Sequence, residues 1–462
     1  MSRKTGRRTL FLAAAILCAA CAHADLAGAQ RAYAAKDFVG AVQQYLEIAT
    51  LGNVTAQENL AAMYVDGEGV GRDNVLGYAW AVIARENGGN AAMQNIIDQL
   101  QPHLDEKARA RVKAVTDQFG KSALEARLLP GPLDQRPNRP ADQLCPMSKP
   151  VNPEDFYPPA AVRERVSGTV FVEAVISADG RALRPHVWYS VPEGVFEYSG
   201  RAVAWASGFT PRQKGNESGH CSIRFRVHFT SKGSDTAAIE DAYEKTRVLA
   251  ERGEPVAQVM YGLLMFDRLG GNANDSIRWF LKAAQAGVPY AQYLVGIDLL
   301  QIDSHASAAD NGKGLAWLQL AAANGRPEAK FALASYRLRT DAAAISDVTV
   351  FAWLEDAAKA GHRDGTLYLA ALLATSPDAE RRDPVRALTL VEPKKWDFES
   401  DPTALEVMAA ANAQNGKFSD AVALEKRAIR AAQRFKWDVA PLQQRLAKYD
   451  AGATWAGNLL DP

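Results

Sequence analysis

One phrase recurs along the chain, and it constrains the fold more than any other feature: an alanine-rich helical run, a glycine, and a second apolar helical run. It reads IATLGNVTAQENLA around Gly52, LAERGEPVAQVMYG around Gly253, AAQAGVPYAQYLVG around Gly287, AAANGRPEAKFALA around Gly325 and AAKAGHRDGTLYLA around Gly361. An alanine follows four residues after the glycine at Ala56, Ala257, Ala291 and Ala329. The later glycines are 34, 38 and 36 residues apart, and Gly88 continues the first copy at 36. Such a period belongs to stacked helical hairpins. An aromatic side chain opens the helix before each later glycine: Trp80, Trp279 with Phe280, Trp317 and Trp353. Small residues let antiparallel helices approach, tryptophan fills the space between pairs, and glycine adopts the positive φ at which a helix stops. One pair cannot bury its apolar face alone, whereas a stack of pairs can, so the chain is expected to be mainly α and built as a solenoid.

The turn DGEGVGRDN, residues 66–74, resembles a phosphate-binding loop at first sight. A dinucleotide fingerprint needs a strand before its first glycine and Gly-x-Gly-x-x-Gly spacing; here the helical AQENLAAMYV precedes Gly-x-Gly-x-Gly. The expectation is a turn in which Gly67 and Gly69 release the chain near Tyr64 and Asp73 caps the next helix. Residues 60–80, LAAMYVDGEGVGRDNVLGYAW, resemble the Sel1-like repeat of the tetratricopeptide-type superfamily nearly throughout. The later copies depart from it at MFDRLGGNAND, LQIDSHASAADNGKG and LRTDAAAISDVTV. Residues 404–433 read as an ordinary tetratricopeptide pair, with Gly416 and Phe418 at its turn and Ala421 starting its second helix, that caps the stack.

Between the two repeat regions the composition changes. Residues 126–160 hold nine of the 22 prolines, so a linker is expected with no persistent helix. A segment of period two follows: a β-rich run at 169–176, a turn at Ala178-Asp179-Gly180, a second run, a short helix in FEYSGRAVAWASG, and the alternating strand CSIRFRVHF. Tyr157-Pro158, Gly168-Thr169-Val170, the Ala-Asp-Gly turn, Ser190, Phe209-Thr210-Pro211, Gly215 and the last strand stand in the order of the TonB C-terminal domain, which this segment resembles. That resemblance implies a small α+β fold, a three-stranded antiparallel sheet with two helices. It also implies that Ser222, Ile223, Arg224, Phe225, Arg226, Val227, His228 and Phe229 offer an edge to a partner peptide, with Phe156, Tyr157 and Pro158 near that peptide. Phe156 replaces the usual polar residue before Tyr-Pro. A second reading has the strand edge covered by the chain's own helices or by a second copy.

The N-terminus carries an export pattern: RKTGRR, the apolar TLFLAAAILCAACA, then Ala22-His23-Ala24 before Asp25. Cleavage before Cys21 with lipidation of that cysteine is the alternative. Cys145 and Cys221 would then be the two remaining thiols of an exported chain, which suggests a disulfide. Beyond residue 24 there are 49 basic and 53 acidic groups, a balance that does not recommend nucleic acid. The seven histidines lack His-x-x-x-His or Glu-x-x-His spacing, and no Gly-x-Ser-x-Gly elbow occurs, so no metal, cofactor, small-molecule substrate or catalytic residue is expected and the chain reads as non-enzymatic.

The expected layout is a signal peptide at 1–24, helical repeats at 25–125, a proline-rich linker at 126–150, the TonB-like domain at 151–232, repeats at 235–380, the cap at 381–450 and a tail at 451–462. The expected function is a periplasmic scaffold for envelope proteins of a Gram-negative cell, its partners including an outer-membrane receptor or a second copy. The alternative is TonB-type energy transduction for transport across the outer membrane, which the family performs with an uncleaved membrane helix bearing a Ser and a His.

Overall fold

The computed structural model describes residues 24–132, 145–177, 179–214, 217–219, 221–231, 236–268, 273–300, 308–391, 401–457 and 459. The segment expected to be an export signal, through His23 and including Cys18 and Cys21, lies outside them, as do residues 133–144 of the proline-rich stretch, Ala178, Gly215, His220 and His305.

The first helical block comprises α1 (Leu26–Ala34), α2 (Phe38–Leu51), α3 (Val54–Asp66), α4 (Asn74–Glu86), α5 (Ala91–Leu100), α6 (Glu106–Phe119) and α7 (Lys121–Leu128). Local chemistry sets their starts. Asp25, Asp37, Asn53, Asp73, Asn90 and Asp105 each accept a backbone N–H of the helix they precede, satisfying donors that have no intrahelical partner. Trp80 is buried against α6, stacked on Phe119 at 5.6 Å between ring centroids. α7 corrects the expectation of a linker from residue 126. The helix runs to Leu128 and ends two residues before Pro130, and Leu124 and Leu128 are buried in a core that includes Val259, Ile277, Tyr293 and Trp317.

The inserted module holds β1 (Met147–Lys149), a 3₁₀ turn (Pro153–Phe156), α8 (Pro159–Glu164), β2 (Gly168–Ile176), β3 (Ala182–Val191), α9 (Glu197–Ala206), β4 (Gly208–Phe209), β5 (Arg212–Lys214), β6 (Glu217–Gly219) and β7 (Cys221–Phe229). Its main sheet is antiparallel in the order β3-β2-β7, with Val170 opposite Val227, Val172 opposite Phe225 and Ala174 opposite Ile223. These residues lie on one face and join Phe196, Val203 and Phe229 in the module's core. α9 covers that face closely: a Cβ on Gly200 would stand 2.6 Å from Val170 Cγ1. Two small pairings, β1 with β4 and β5 with β6, complete the module.

The second helical block comprises α10 (Thr236–Glu251), α11 (Pro255–Arg268), α12 (Ala273–Gln285), α13 (Pro289–Leu299), α14 (Ala308–Ala323), α15 (Pro327–Thr340), α16 (Val348–Lys359), α17 (Arg363–Thr375), α18 (Pro384–Leu390), α19 (Pro402–Gln414), α20 (Phe418–Arg434) and α21 (Ala440–Asp450). Proline opens α11, α13 and α15, where its missing N–H costs no intrahelical bond. The fold is therefore mainly α, a helical-repeat stack with a small three-stranded α+β module inserted in its sequence. α20 begins at Phe418, three residues before the expected Ala421.

The two helical blocks, separated in sequence by the module, are joined in space. Trp317 Nε1 on α14 donates to the Leu128 carbonyl at 2.7 Å, and Lys330 Nζ on α15 donates to Asp25 and Asp356, both at 2.8 Å. Lys330 is mostly buried; desolvation would lower its pKa, but the two carboxylates outweigh this and raise it.

A buried ionic group sits in the C-terminal cap. Arg445 on α21 pairs with Glu406 on α19 and donates from Nε to Glu425 Oε1 on α20 at 3.4 Å. Glu425 is fully buried, and its carboxyl is pushed up to about 8, chiefly by desolvation and then by the Glu406 charge, with Arg445 opposing. A carboxyl with a raised native pKa binds more protons folded than unfolded, so stability is greatest below the unfolded value and falls as pH rises from about 4.5 to about 8. In Glu425→Gln that fall should largely vanish, with a gain on the order of a few kcal/mol at about pH 8, read from urea unfolding at about pH 5 and pH 8.

Candidate interaction surfaces

The repeat positions act through packing. Gly52, Gly253, Gly287, Gly325 and Gly361 all lie in the left-handed region, with φ from 83° to 109°. Ala56, Ala291 and Ala329 are wholly buried, and Ala257 is half-buried. Trp279 is half-buried, edge-on to Tyr261, with Lys282 Nζ 3.9 Å from its ring centroid; Trp317 is buried in the core, and Trp353 packs between two core clusters. In the DGEGVGRDN turn, Gly67 ends α3 and the Tyr64 carbonyl accepts the Asp73 N–H at 2.8 Å. Asp73 Oδ1 accepts from Val75 and Leu76, and its Oδ2 pairs with Arg111 at 2.8 Å. Both carboxylate oxygens of Asp73 are thus used by the fold. Asp73→Ala should lower stability by about 1–2 kcal/mol, visible as earlier thermal melting of the N-terminal block.

In the module, β7 bonds β2 on one side, and no described strand pairs with its other side. Ile223, Phe225, Val227 and Phe229 turn toward the core, whereas His228 is exposed and Arg226 half-exposed; Cys221, Ser222 and Arg224 are placed here by their backbones. The Tyr157 ring lies edge-on to Phe196 and Phe229, and its hydroxyl donates to the Val166 carbonyl at 2.7 Å. Pro158 caps α8. Phe156 packs into the seam formed by Trp205 and Phe435, so it lies between module and stack. Cys145 is buried in the module's core.

The other side of the module meets the helical stack. Trp205 on α9 packs on Phe435 at 5.1 Å between centroids. On β3, His186 Nδ1 bonds Asp364 Oδ2 at the start of α17, and the His186 ring lies against Phe331 at 5.1 Å and His362 at 5.5 Å. Arg363 extends the group, bonding Asp364 at 2.7 Å and Asp401 at 2.5 Å. Burial alone would raise the Asp364 pKa, but the His186 hydrogen bond and the charges of His186, Arg363 and Arg201 outweigh it and hold the carboxyl below its ordinary range. Burial, then the His186 charge, lowers His362 to about 3, which suits its Nδ1 accepting the Gly365 N–H at 3.0 Å.

Between module and stack lies a cavity of about 60 Å³. The helices α13, α15, α17 and α19 form its floor, with Tyr293, Phe331, Leu367 and Tyr368 among the lining side chains; β2, β3 and α9 form its roof, with Glu173, His186 and Trp205. Sequence reasoning did not single out this group, because the module and the stack contribute to it from widely separated positions. Its local sign was the fifth copy of the recurring phrase, where His362-Arg363-Asp364 stands in place of the proline-bearing segments of the middle copies. Among the described residues no His, Cys, Asp and Glu group is arranged to hold a metal, and no helix is long and apolar enough to cross a membrane.

Comparison with known proteins matches this architecture piece by piece. Residues 153–231 match the Gram-negative bacterial TonB protein C-terminal family, and residues 54–89, 255–288 and 289–325 match the Sel1 repeat. Among solved structures, a protective antigen of uropathogenic Escherichia coli strains with an SLR fold is 15% identical, over 90% of this chain and 77% of that one, with a TM-score of 0.35. A Sel1 repeat protein from Oxalobacter formigenes is 18% identical, over 45% of this chain and 97% of that one, with a TM-score of 0.30. No curated protein matches the chain. Sel1 repeats point to protein–protein interaction in general, and the TonB C-terminal family to the Gram-negative envelope. The chain thus carries three Sel1 repeats and, between the first and second of them, a TonB C-terminal domain.

Proposed function

We propose that the protein is a non-enzymatic interaction scaffold of the cell envelope, exported to the periplasm, in which the helical stack holds the TonB-like module and β7 receives a strand from a partner. One observation carries this reading: neither outer strand of the main sheet has a described strand beyond it, and of the two it is β3 that is packed against the stack, through the His186 side chain. An unpaired edge is a template for strand addition, in which main-chain bonds give affinity and alternate side chains give selectivity. The partner is an envelope protein, with an outer-membrane receptor as the first candidate and a second copy as the next. A Cys145–Cys221 disulfide belongs to the same reading. It would tie the entry of the module to the start of β7 and stabilise it by about 4 kcal/mol on the chain-entropy estimate.

The test is photo-crosslinking in living cells, with the probe placed in turn at Arg224, Arg226 and His228. Strand addition predicts adducts with a different chain, and captured residues that step by two as the probe steps by two. Adducts confined to the protein's own α-helices would overturn the reading, and adducts to β7 of a second copy would move the partner from receptor to self.

A further inference from the structure

We propose that the cavity between the module and the stack is a binding site for a short aliphatic carboxylate. Clefts between packed units are common ligand sites. This one combines an apolar wall, including Phe331, Leu367 and Tyr368, with buried side-chain nitrogens left without partners. Arg339, on α15, lines the cavity, makes no ion pair or hydrogen bond with the described residues, and has its Nε shielded from solvent. His186 faces it from the roof. Its Nδ1 is engaged by the Asp364 carboxylate, and its Nε2 is buried without a partner. Among the other charged groups of the lining, Asp364 and Asp401 share Arg363, and Glu173 has an interaction of its own. An anion bonded to the Arg339 guanidinium and to His186 Nε2 would satisfy both orphaned nitrogens. The volume suits a group of about four or five heavy atoms, since one water-sized probe occupies roughly 10–15 Å³. Because His186 belongs to the module and Arg339 to the stack, such a ligand would bridge the two units and tighten their docking, a role independent of strand addition at β7.

Calorimetric titration of the mature chain with sodium propionate, with propionamide as the neutral isostere, tests this. Propionate should bind and propionamide should not. Arg339→Gln should weaken propionate binding by about tenfold or more, the effect of losing a charged hydrogen bond. Ala332→Leu, which fills the cavity without altering its charges, should block it. Circular dichroism identifies any variant that fails to fold, and the two substitutions act by independent routes. Absence of propionate binding at about 50 mM, equal binding of propionamide, or affinity unchanged in both folded variants would overturn the proposal and leave a cavity occupied by water.

Discussion

Trp317→Ala should destabilise the protein by about 3–5 kcal/mol, the usual range for truncating a buried tryptophan, and should do so in both helical blocks at once. Trp317 is 2% exposed, and its indole N–H supplies the Leu128 carbonyl across the junction where α14 meets α7. Truncation leaves a cavity in the core shared by α7 and α11 to α15, and an unanswered carbonyl at the end of α7. Urea unfolding followed by far-ultraviolet circular dichroism measures the loss. Hydrogen exchange should show amides of α7 opening together with those of α14. Trp317→Phe keeps most of the volume and should cost about 1–3 kcal/mol, the share of the hydrogen bond. Loosening confined to α14 would mean that the two blocks are separate units.

The glycines of DGEGVGRDN should respond unequally. Gly69 has φ +71°, and a Cβ there would stand 2.2 Å from the Phe38 carbonyl oxygen, a backbone atom at the start of α2. Gly69→Ala should therefore lose about 2–4 kcal/mol, from the left-handed conformation and from displacement of α2. Gly71 has no positive φ, and a Cβ added to it would meet no atom within 4 Å, so Gly71→Ala should be within about 0.5 kcal/mol of the parent. Thermal melting of the two variants side by side decides it. A phosphate-binding loop would instead show a change in nucleotide affinity in both.

The contrast between these glycines illustrates what a sequence displays. The repeat was legible because each copy carries its own helix stop and the helices before Gly88, Gly287, Gly325 and Gly361 each carry a tryptophan, and the module because strand alternation is local. The joins were not. Asp25 and Lys330 are 305 residues apart, and His186 and Asp364 are 178 apart. Nothing within a few residues of either partner announces the other. Proline density likewise suggested a linker from residue 126, yet α7 persists to Leu128 because the first proline of the run is Pro130 and burial of Leu124 and Leu128 rewards the last turn. That β7 offers an edge to a partner is what the family resemblance implied, with an edge covered by the chain's own helices or by a second copy as the other reading. That the opposite strand faces the stack emerges only from the packing of His186, Phe331 and His362, three rings from three separate elements.

Residue-resolved hydrogen exchange on the protein tests the central claim, that β3 is the outer strand covered by the stack and β7 the one proposed to receive a partner. Amides of β2, bonded on both sides, should exchange slowest, those of β3 facing the stack more slowly than the outward amides of β7, and the β7 amides alone should gain protection when a partner strand is bound. Outward β7 amides as protected as those of β2 in the partner-free protein would contradict it, since the edge proposed for a partner would already be filled.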